Sequence, residues 1–497
     1  MRPLSGAIAL AVFVACCWRA ATQALTHDEA LTWQLYVAGP FAAVVLHYDA
    51  NHHVLHTLLC RASAAAFGDG ELALRVPALL AAAVYLLVAR RLTVGQRADA
   101  RGLLAFGLLA ANPFVLDYFA LARGYGLALA AFFASFDRWL ALLASAQRGT
   151  PRYRIAFALG ALHAATLFAN LAFAVPVAAL AGTGLVALCL ASRTAPGQVR
   201  VRSVVWRMAL PAGAVALVLA VPLLHARMHH FYFGMPTLFE SARTLVAASL
   251  DHRGALAQEG RVLSWATAAA LASALLLGAG AVVVMLALRR RTASAQEWIF
   301  LLATSNVLLS ALMWGVLHAV TGVPWPRERT GLALAPCFLL GAALGTDLLA
   351  RRRRALAAFP TALLAGVLAC FLVQPALAPS SLGAYRTWRG DTGAARVHAA
   401  LCRLAAGRQE PVPVFVANFL AASLTYYELR HRCTPPLILH GNPEPGVRYA
   451  AVVVNPTFIP VGEDDGDAVC TVPGLGPVRG RIEYADPGSG VVVLVPK

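Results

Sequence analysis

The feature that most constrains this chain is a succession of long apolar stretches, each closed by arginine-rich segments. Lipid offers a backbone no hydrogen-bond partners, so a stretch of about 20 apolar residues bounded by charge crosses a bilayer as a helix. Hydropathy, with breaks at charged or proline-rich segments, predicts spans near 4–21, 71–89, 102–119, 125–145, 155–170, 172–191, 204–224, 263–288, 297–320, 331–349 and 356–376. That makes about eleven, with a short turn at Asn170 reversing the chain between the fifth and sixth of the 16-to-26-residue stretches. With 59% hydrophobic and 13% charged residues, the sequence is neither a soluble globular domain nor a disordered chain. The first stretch follows Arg2 as a secretion signal would, but no small-residue cleavage site precedes the charged loop, so it is expected to be retained.

Charge tests the topology, because short cytoplasmic loops collect Arg and Lys. With the N-terminus inside, every second loop does so: Arg2; Arg90, Arg91, Arg97 and Arg101; Arg148, Arg152 and Arg154; Arg193, Arg200, Arg202 and Arg207; Arg289 to Arg291; and Arg351 to Arg354. These 19 basic residues face two acids, Asp99 and Glu297, and the difference equals the formal charge of +17. The basicity is therefore topological. Arginines lying between apolar spans, without interleaved aromatic platforms, argue against a nucleic-acid partner.

An odd number of spans puts the first loop, the segment from about 225 to 262 and everything after about 378 outside the cytoplasm. Residues 1–377 are expected to form a mainly α, polytopic membrane helix bundle, and 378–497 a small extracytoplasmic α/β domain. In the latter PVFVANF, PLILH, YAAVVVN and GVVVLV are strand-like, and DTGAARVHAALCRLAAG is helical. Cys16, Cys17, Cys189, Cys337 and Cys370 within spans, and Cys60 near the first loop, suit small buried hydrophobes. One disulfide is expected among Cys402, Cys433 and Cys470 in an oxidising compartment. No CxxC or zinc-like spacing occurs.

The polar residues worth weighing lie in the outer loops. The first runs from LTHDEALTW, with His27, Asp28 and Glu29 just past the first span, through YDANHHVLHTLL to GDGELALRVPALL. Apolar runs broken by isolated Asp, Glu, His and Asn suit amphipathic helices on the membrane surface. Asp28 and Glu29 either do chemistry or complement a helix dipole behind a Thr26 cap. His27 has no assignment. His52, His53 and His56, with Asp49, either face a substrate or hold a divalent metal, His53 and His56 being an i, i+3 pair. Arg123 in NPFVLDYFALARGYG either contacts phosphate or snorkels to headgroups. Arg327 and Arg329 in PWPRERTGLA run against the positive-inside bias, with Glu328 as a local partner. Asp117 is a further intramembrane acid, Arg75 is expected to be structural, and His225, Arg227, His229 and His230 read as interfacial anchors.

The order HDE, then YDANHH-x-LHTLL, then ELALRVPALL resembles the GT-C membrane glycosyltransferases, in particular the protein O-mannosyltransferase and lipid A aminoarabinose transferase branch. That branch carries an acidic pair after the first span and an Asn-His-Pro-Leu-like segment at the end of the first outer loop. These fall on Asp28 with Glu29 and on Asn51 with His53; the family's Pro is Val54 here. NPFVLDYFALARGYGLALAAFF and PWPRERTGLALAPCFLLGAAL extend the likeness over most of residues 1 to 350, while the C-terminal domain matches nothing in the family.

The resemblance implies a transferase of the cytoplasmic membrane that moves a sugar from a polyprenyl-phosphate donor to a hydroxyl of a lipid, glycan or protein on the outer face. Asp28 would be the general base and Glu29 its support; Asn51, His53, Arg123, Arg327 and Arg329 would bind the donor, the arginines holding the lipid phosphate. A single displacement with one base would invert the anomeric carbon. Some members use a divalent metal cofactor and others do not; His53 and His56 would be the ligands of such a metal here. The rival readings are a transporter or flippase of a lipid-linked or small solute, whose usual internal repeat is not evident here, an anchored sensory or adhesion protein, and an oligosaccharide polymerase or ligase.

Overall fold

The computed structural model describes residues 1–46, 49, 52–150, 152–194, 199–224, 233–250, 260–288, 292–377, 388–417, 419–464 and 467–497. Asn51, His225, Arg227, His229, His230 and Arg289 to Arg291 lie outside the described residues. By contacts the chain forms two units: Met1–Trp18, Val44–Asp69 and Ala73–Leu377 in one, and Arg19–Ala43, Gly70–Leu72 and Ala378–Lys497 in the other.

The helices in chain order are α1 Arg2–Thr22, α2 His27–Thr32, α3 Phe41–Leu46, α4 Val54–Phe67, α5 Glu71–Leu92, α6 Ala100–Ala110, α7 Pro113–Asp117, α8 Gly124–Gln147 and α9 Tyr153–Ala169. There follow α10 Ala174–Ala191, α11 Val201–Leu224, α12 Leu238–Leu250, α13 Gly260–Ala287, α14 Ala295–Thr321, α15 Leu334–Arg352, α16 Arg354–Leu377, α17 Ala394–Ala405 and α18 Leu420–Arg430. Among the described residues nine helices are long and apolar enough to cross a bilayer, which makes this a multi-pass membrane protein. All eleven expected stretches are helical, but α6 has 11 residues and α9 has 17. The expected helix over 102–119 stops early for a local reason. Asn112 accepts the Phe114 N–H at 3.0 Å, and Pro113 starts the separate one-turn helix α7. The turn at Asn170 is present, its side chain accepting from Ala172 N at 2.9 Å.

The larger unit packs as lipid-embedded bundles do, through small residues and a few interhelical hydrogen bonds. A methyl group at Gly160 on α9 would stand 2.3 Å from the Met208 carbonyl oxygen on α11. Asn306 on α14, fully buried, donates to the Pro176 carbonyl of α10 at 2.7 Å. Leu275 and Leu276 on α13 are exposed, as suits a surface whose solvent is lipid.

One end of this unit is tied by a single buried acid. Asp347 near the C-terminus of α15 pairs with Arg97, with Arg101 at 3.4 Å and with Arg351 at 3.1 Å; Arg97 also pairs with Asp99, which caps α6 through Arg101 N and Gly102 N. Thus part of the arginine excess in these loops fastens the α5–α6 loop to α15.

The smaller unit holds a seven-stranded sheet: β1 Val412–Val416, β2 Leu437–His440, β3 Ala451–Val454, β4 Gly462–Asp464, β5 Asp467–Val472, β6 Gly476–Ala485 and β7 Val492–Pro496, in the order β2-β1-β3-β7-β6-β5-β4. β1 pairs in parallel with β2 and β3, with α18 as the crossover between β1 and β2; the remaining pairings are antiparallel. The four strand-like runs became β1, β2, β3 and β7, and the expected helix became α17. Strands β4 to β6 and helix α18 carried weaker patterns. β6 shows why: of its ten residues only Val478 and Gly480 are buried, the rest being exposed or half-buried, so it forms no apolar run. Cys402 and Cys433 form the disulfide, and Cys470 is a buried free thiol.

Asp347→Asn leaves three arginines without their shared carboxylate. The expected cost is about 2 kcal/mol, below that of a fully buried pair because the arginines keep part of their solvent. Thermal unfolding in detergent reads this out, and an unchanged Tm would show that the arginines pair equally well with water.

Candidate functional site

The candidate residues fall into the two units, and each group has its own geometry. In the smaller unit Asp28 and Glu29 lie in the first turn of α2. Thr26 is the N-cap: its Oγ1 accepts from Glu29 N at 3.3 Å, and Glu29 Oε2 accepts from Thr26 N at 2.9 Å and from Thr26 Oγ1 at 3.0 Å. This is a reciprocal capping box, so Glu29, 2% exposed, has a structural task. The His27 N–H is taken by Asp391 Oδ2 at 2.8 Å, and the same oxygen lies 2.7 Å from His27 Nδ1.

With these groups closing the start of α2, the Asp28 side chain turns elsewhere. Trp388 Nε1–H donates to Asp28 Oδ2 at 3.2 Å, and His27 Nε2 lies 3.6 Å from Oδ1. The His27 ring stacks on Phe419, with centroids 4.9 Å apart. Behind the turn, Tyr427 OH accepts from Leu25 N and donates to Glu71 Oε1, both at 3.1 Å, and Trp33 meets Tyr426 edge-on at 5.0 Å. Asp28 is thus a buried carboxylate in a frame of aromatic rings, a hydrogen-bond donor and an imidazole, suited to accepting a proton. Trp388, Asp391 and His27 were not predicted as members of this group. No local signal could have found Trp388 and Asp391, which stand more than 350 residues away.

In the larger unit His53, Arg123 and Arg329 come together. His53 is the N-cap of α4 and 4% exposed; Arg123 is the N-cap of α8 and 1% exposed. Their neighbourhood is aromatic: the Tyr125 ring is 5.0 Å from the His53 ring and from the Tyr118 ring, and the Arg123 guanidinium carbon lies 6.0 Å from the Tyr125 centroid. Burial holds His53 well below the usual histidine pKa, with the Arg123 charge next and Arg329 contributing, so its ring is neutral. His53 Nε2 is buried and has no hydrogen-bond partner among the described residues. Asp117 is buried at the end of α7, and Arg75 on α5 is fully buried.

Arg329 and Arg327 reach this unit's surface on a braced loop. Met235 and Trp325 exchange backbone hydrogen bonds of 2.8 and 2.9 Å, Ser241 Oγ donates to the Pro326 carbonyl at 2.5 Å, and Glu328 N donates to Thr244 Oγ1 at 3.0 Å. Glu328 takes a φ of 41°, a left-handed conformation uncommon for its type, which the Thr244 bond helps to hold. Both guanidinium groups sit over Phe233, Arg329 at 4.4 Å and Arg327 at 5.2 Å; Arg327 is exposed and Arg329 half-buried.

His56, the other residue considered for a metal, faces along α4 toward Cys60, with Nδ1 3.4 Å from its sulfur. Among the described residues no group of three ligating side chains contains His53 or His56.

No protein-family model matches the chain, and no curated protein matches it significantly. Among solved structures it is similar to ArnT from Cupriavidus metallidurans bound to undecaprenyl phosphate, with a TM-score of 0.46, 14% identity and coverage of 99% of this chain and 97% of that one. It is also similar to the same protein in the apo state, at a TM-score of 0.44, 14% identity and the same coverage.

Two outcomes are expected. A methyl group at Gly124 would stand 2.1 Å from the Ala169 carbonyl oxygen and 2.7 Å from His53 Cβ, so Gly124→Ala must displace His53 and should cost about 1–3 kcal/mol in thermal unfolding. Burial, followed by the Arg123 charge, lowers the His56 pKa to about 3, so this ring stays neutral in the fold. An unfolded histidine titrates near ~6.5, so stability is complete above that pH and falls as the pH drops from there toward 3. Between pH 7.5 and 4.5, His56→Gln should lose about 3 kcal/mol less than the native chain. Parallel pH profiles of Tm would refute the buried neutral ring.

Proposed function

We propose that this protein is a membrane glycosyltransferase that takes a sugar from a polyprenyl-phosphate donor and gives it to an acceptor hydroxyl of a lipid, glycan or protein at the outer face of the cytoplasmic membrane. The observation that carries the reading is the neutral, buried His53, its Nε2 lacking a partner among the described residues, beside the buried Arg123 and near Arg329. A phosphate oxygen gives that nitrogen a partner and complements both guanidinium charges. The Nε2–H tautomer of His53 donates to it, and guanidinium groups fork phosphate oxygens while carrying a charge that no working pH removes. The order of motifs in the first 350 residues, which resembles the GT-C transferases, supports the same reading.

In the reaction the acceptor oxygen attacks the anomeric carbon as the bond from that carbon to the phosphate oxygen breaks. The bonding pair leaves with the polyprenyl phosphate, whose growing charge Arg123 and Arg329 offset. The acceptor's proton passes to Asp28, which Trp388 and His27 orient. One displacement at one carbon inverts its configuration. Glu29 acts through the capping box, holding the turn that aims Asp28. Asn51 and Arg327 complete the proposed donor contacts, Arg327 from the exposed end of the same loop as Arg329.

Asp28→Asn keeps the shape and an oxygen for Trp388, so the variant should fold and retain donor while transfer falls at least about 100-fold. Normal turnover by it would remove Asp28 as the base. Arg329→Ala and Arg123→Ala should each weaken donor binding about 10- to 100-fold, the worth of a charge-assisted hydrogen bond. Mass spectrometry of co-purifying lipids decides the class: a polyprenyl-phosphate sugar is expected, and a transported solute in its place would favour a transporter.

A further inference from the structure

The smaller unit contains a second cluster of reactive side chains that the proposed transfer does not use. Helix α17 sets His398 and Cys402 four residues apart on one face, and the end of α18 with the turn after it brings Glu428 and Cys433 against them. Cys402 and Cys433 are joined as a disulfide. His398 Nε2 lies 2.9 Å from Glu428 Oε2, 3.8 Å from Cys402 Sγ and 3.7 Å from Cys433 Sγ. His398, Glu428 and Cys433 are 4, 8 and 5% exposed.

A disulfide needs no imidazole or carboxylate, and burying that pair costs solvation energy. Glu428 has a partial structural explanation, since it also accepts from Leu437 N at 3.1 Å where β2 begins. That bond does not explain why His398 faces both sulfurs.

Zinc chemistry does explain it. With Zn–S about 2.3 Å and Zn–N about 2.0–2.1 Å, a tetrahedron has sulfur-to-nitrogen edges of roughly 3.6 Å. Both observed sulfur-to-imidazole distances match, and the four donor atoms already lie within 4.8 Å of one another. The sulfur-to-sulfur edge must open to roughly 3.8 Å, which cleavage of the disulfide permits, and the 2.9 Å nitrogen-to-oxygen edge must relax to roughly 3.4 Å as the metal enters between its atoms.

We propose that, once Cys402 and Cys433 are reduced, His398, Cys402, Glu428 and Cys433 form a tetrahedral zinc site, so that disulfide and metal are alternative closures of one staple. A dithiol reductant supplies the two electrons and two protons, becoming a cyclic disulfide while the cysteines become thiols. Zinc then displaces both thiol protons, and two thiolates, a neutral imidazole and a carboxylate fill its four positions. Either closure ties α17 to the turn after α18 across 31 residues of sequence.

The test uses the full chain in detergent, oxidised or dithiol-reduced with the reductant then removed anaerobically, and titrated with cobalt(II) as the probe. The reduced chain should bind one equivalent, with the visible bands of tetrahedral cobalt and a thiolate charge-transfer band that zinc abolishes. The oxidised chain should show neither band. His398→Gln should weaken binding at least about tenfold, and far-UV circular dichroism and Tm report folding in every sample. A reduced, folded chain without the thiolate band overturns the proposal. So does a band that survives Cys402→Ser with Cys433→Ser, or a reduced chain that unfolds and is not restored by cobalt.

Discussion

Every interruption of a helix in a lipid-embedded chain frees backbone N–H and C=O groups that must find partners within the protein, and this constraint decides where polar side chains stand here. Asn112 and Asn170 close two such breaks with their own side-chain oxygens. The candidate functional residues occupy the same kind of position. Asp28 is in the first turn of α2, His53 and Arg123 are N-caps of α4 and α8, and Arg329 precedes α15. Helix starts carry exposed N–H groups and the positive end of the helix dipole, so an anion held by His53 and Arg123 would also meet favourable backbone charge.

The capping box at Thr26 and Glu29 shows how two neighbouring acids acquire different roles. Both are buried, yet Glu29 is bound to the N-cap while Asp28 meets Trp388. The same threonine- or serine-to-glutamate spacing recurs at Ser294 and Glu297, where it opens α14 and no candidate functional residue is present. The motif is thus a helix-starting device, and what distinguishes LTHDEALTW is the acid placed between cap and glutamate.

Much of the membrane part was legible because its signals are local. Apolar length, arginine-closed loops and breaks at Asn-Pro or Asn are read within about 20 residues, and all eleven stretches are helical in the structure. The short α6 was over-extended because apolar residues resume at once in FVLDYFALA; the cap at Asn112 marks its end. In the sheet, buried apolar runs such as AVVV of β3 were visible, whereas β6, mostly exposed or half-buried, was not. What stayed hidden depends on chain return. Trp388 beside Asp28, Asp391 beside His27, and Glu428 and Cys433 beside His398 meet through tertiary packing that no spacing rule encodes.

Tyr427 receives a hydrogen bond from Leu25, and Asp28 one from Trp388, across sequence separations of 402 and 360 residues. A ribosome makes the α2 segment more than 350 residues before these partners. Until they emerge this segment has no access to the rings and donors that surround it in the finished protein, and long-range closure of this kind is slow. The proposed base thus cannot take its final setting until Trp388 and Tyr427 have been made, which separates synthesis of that group from its assembly.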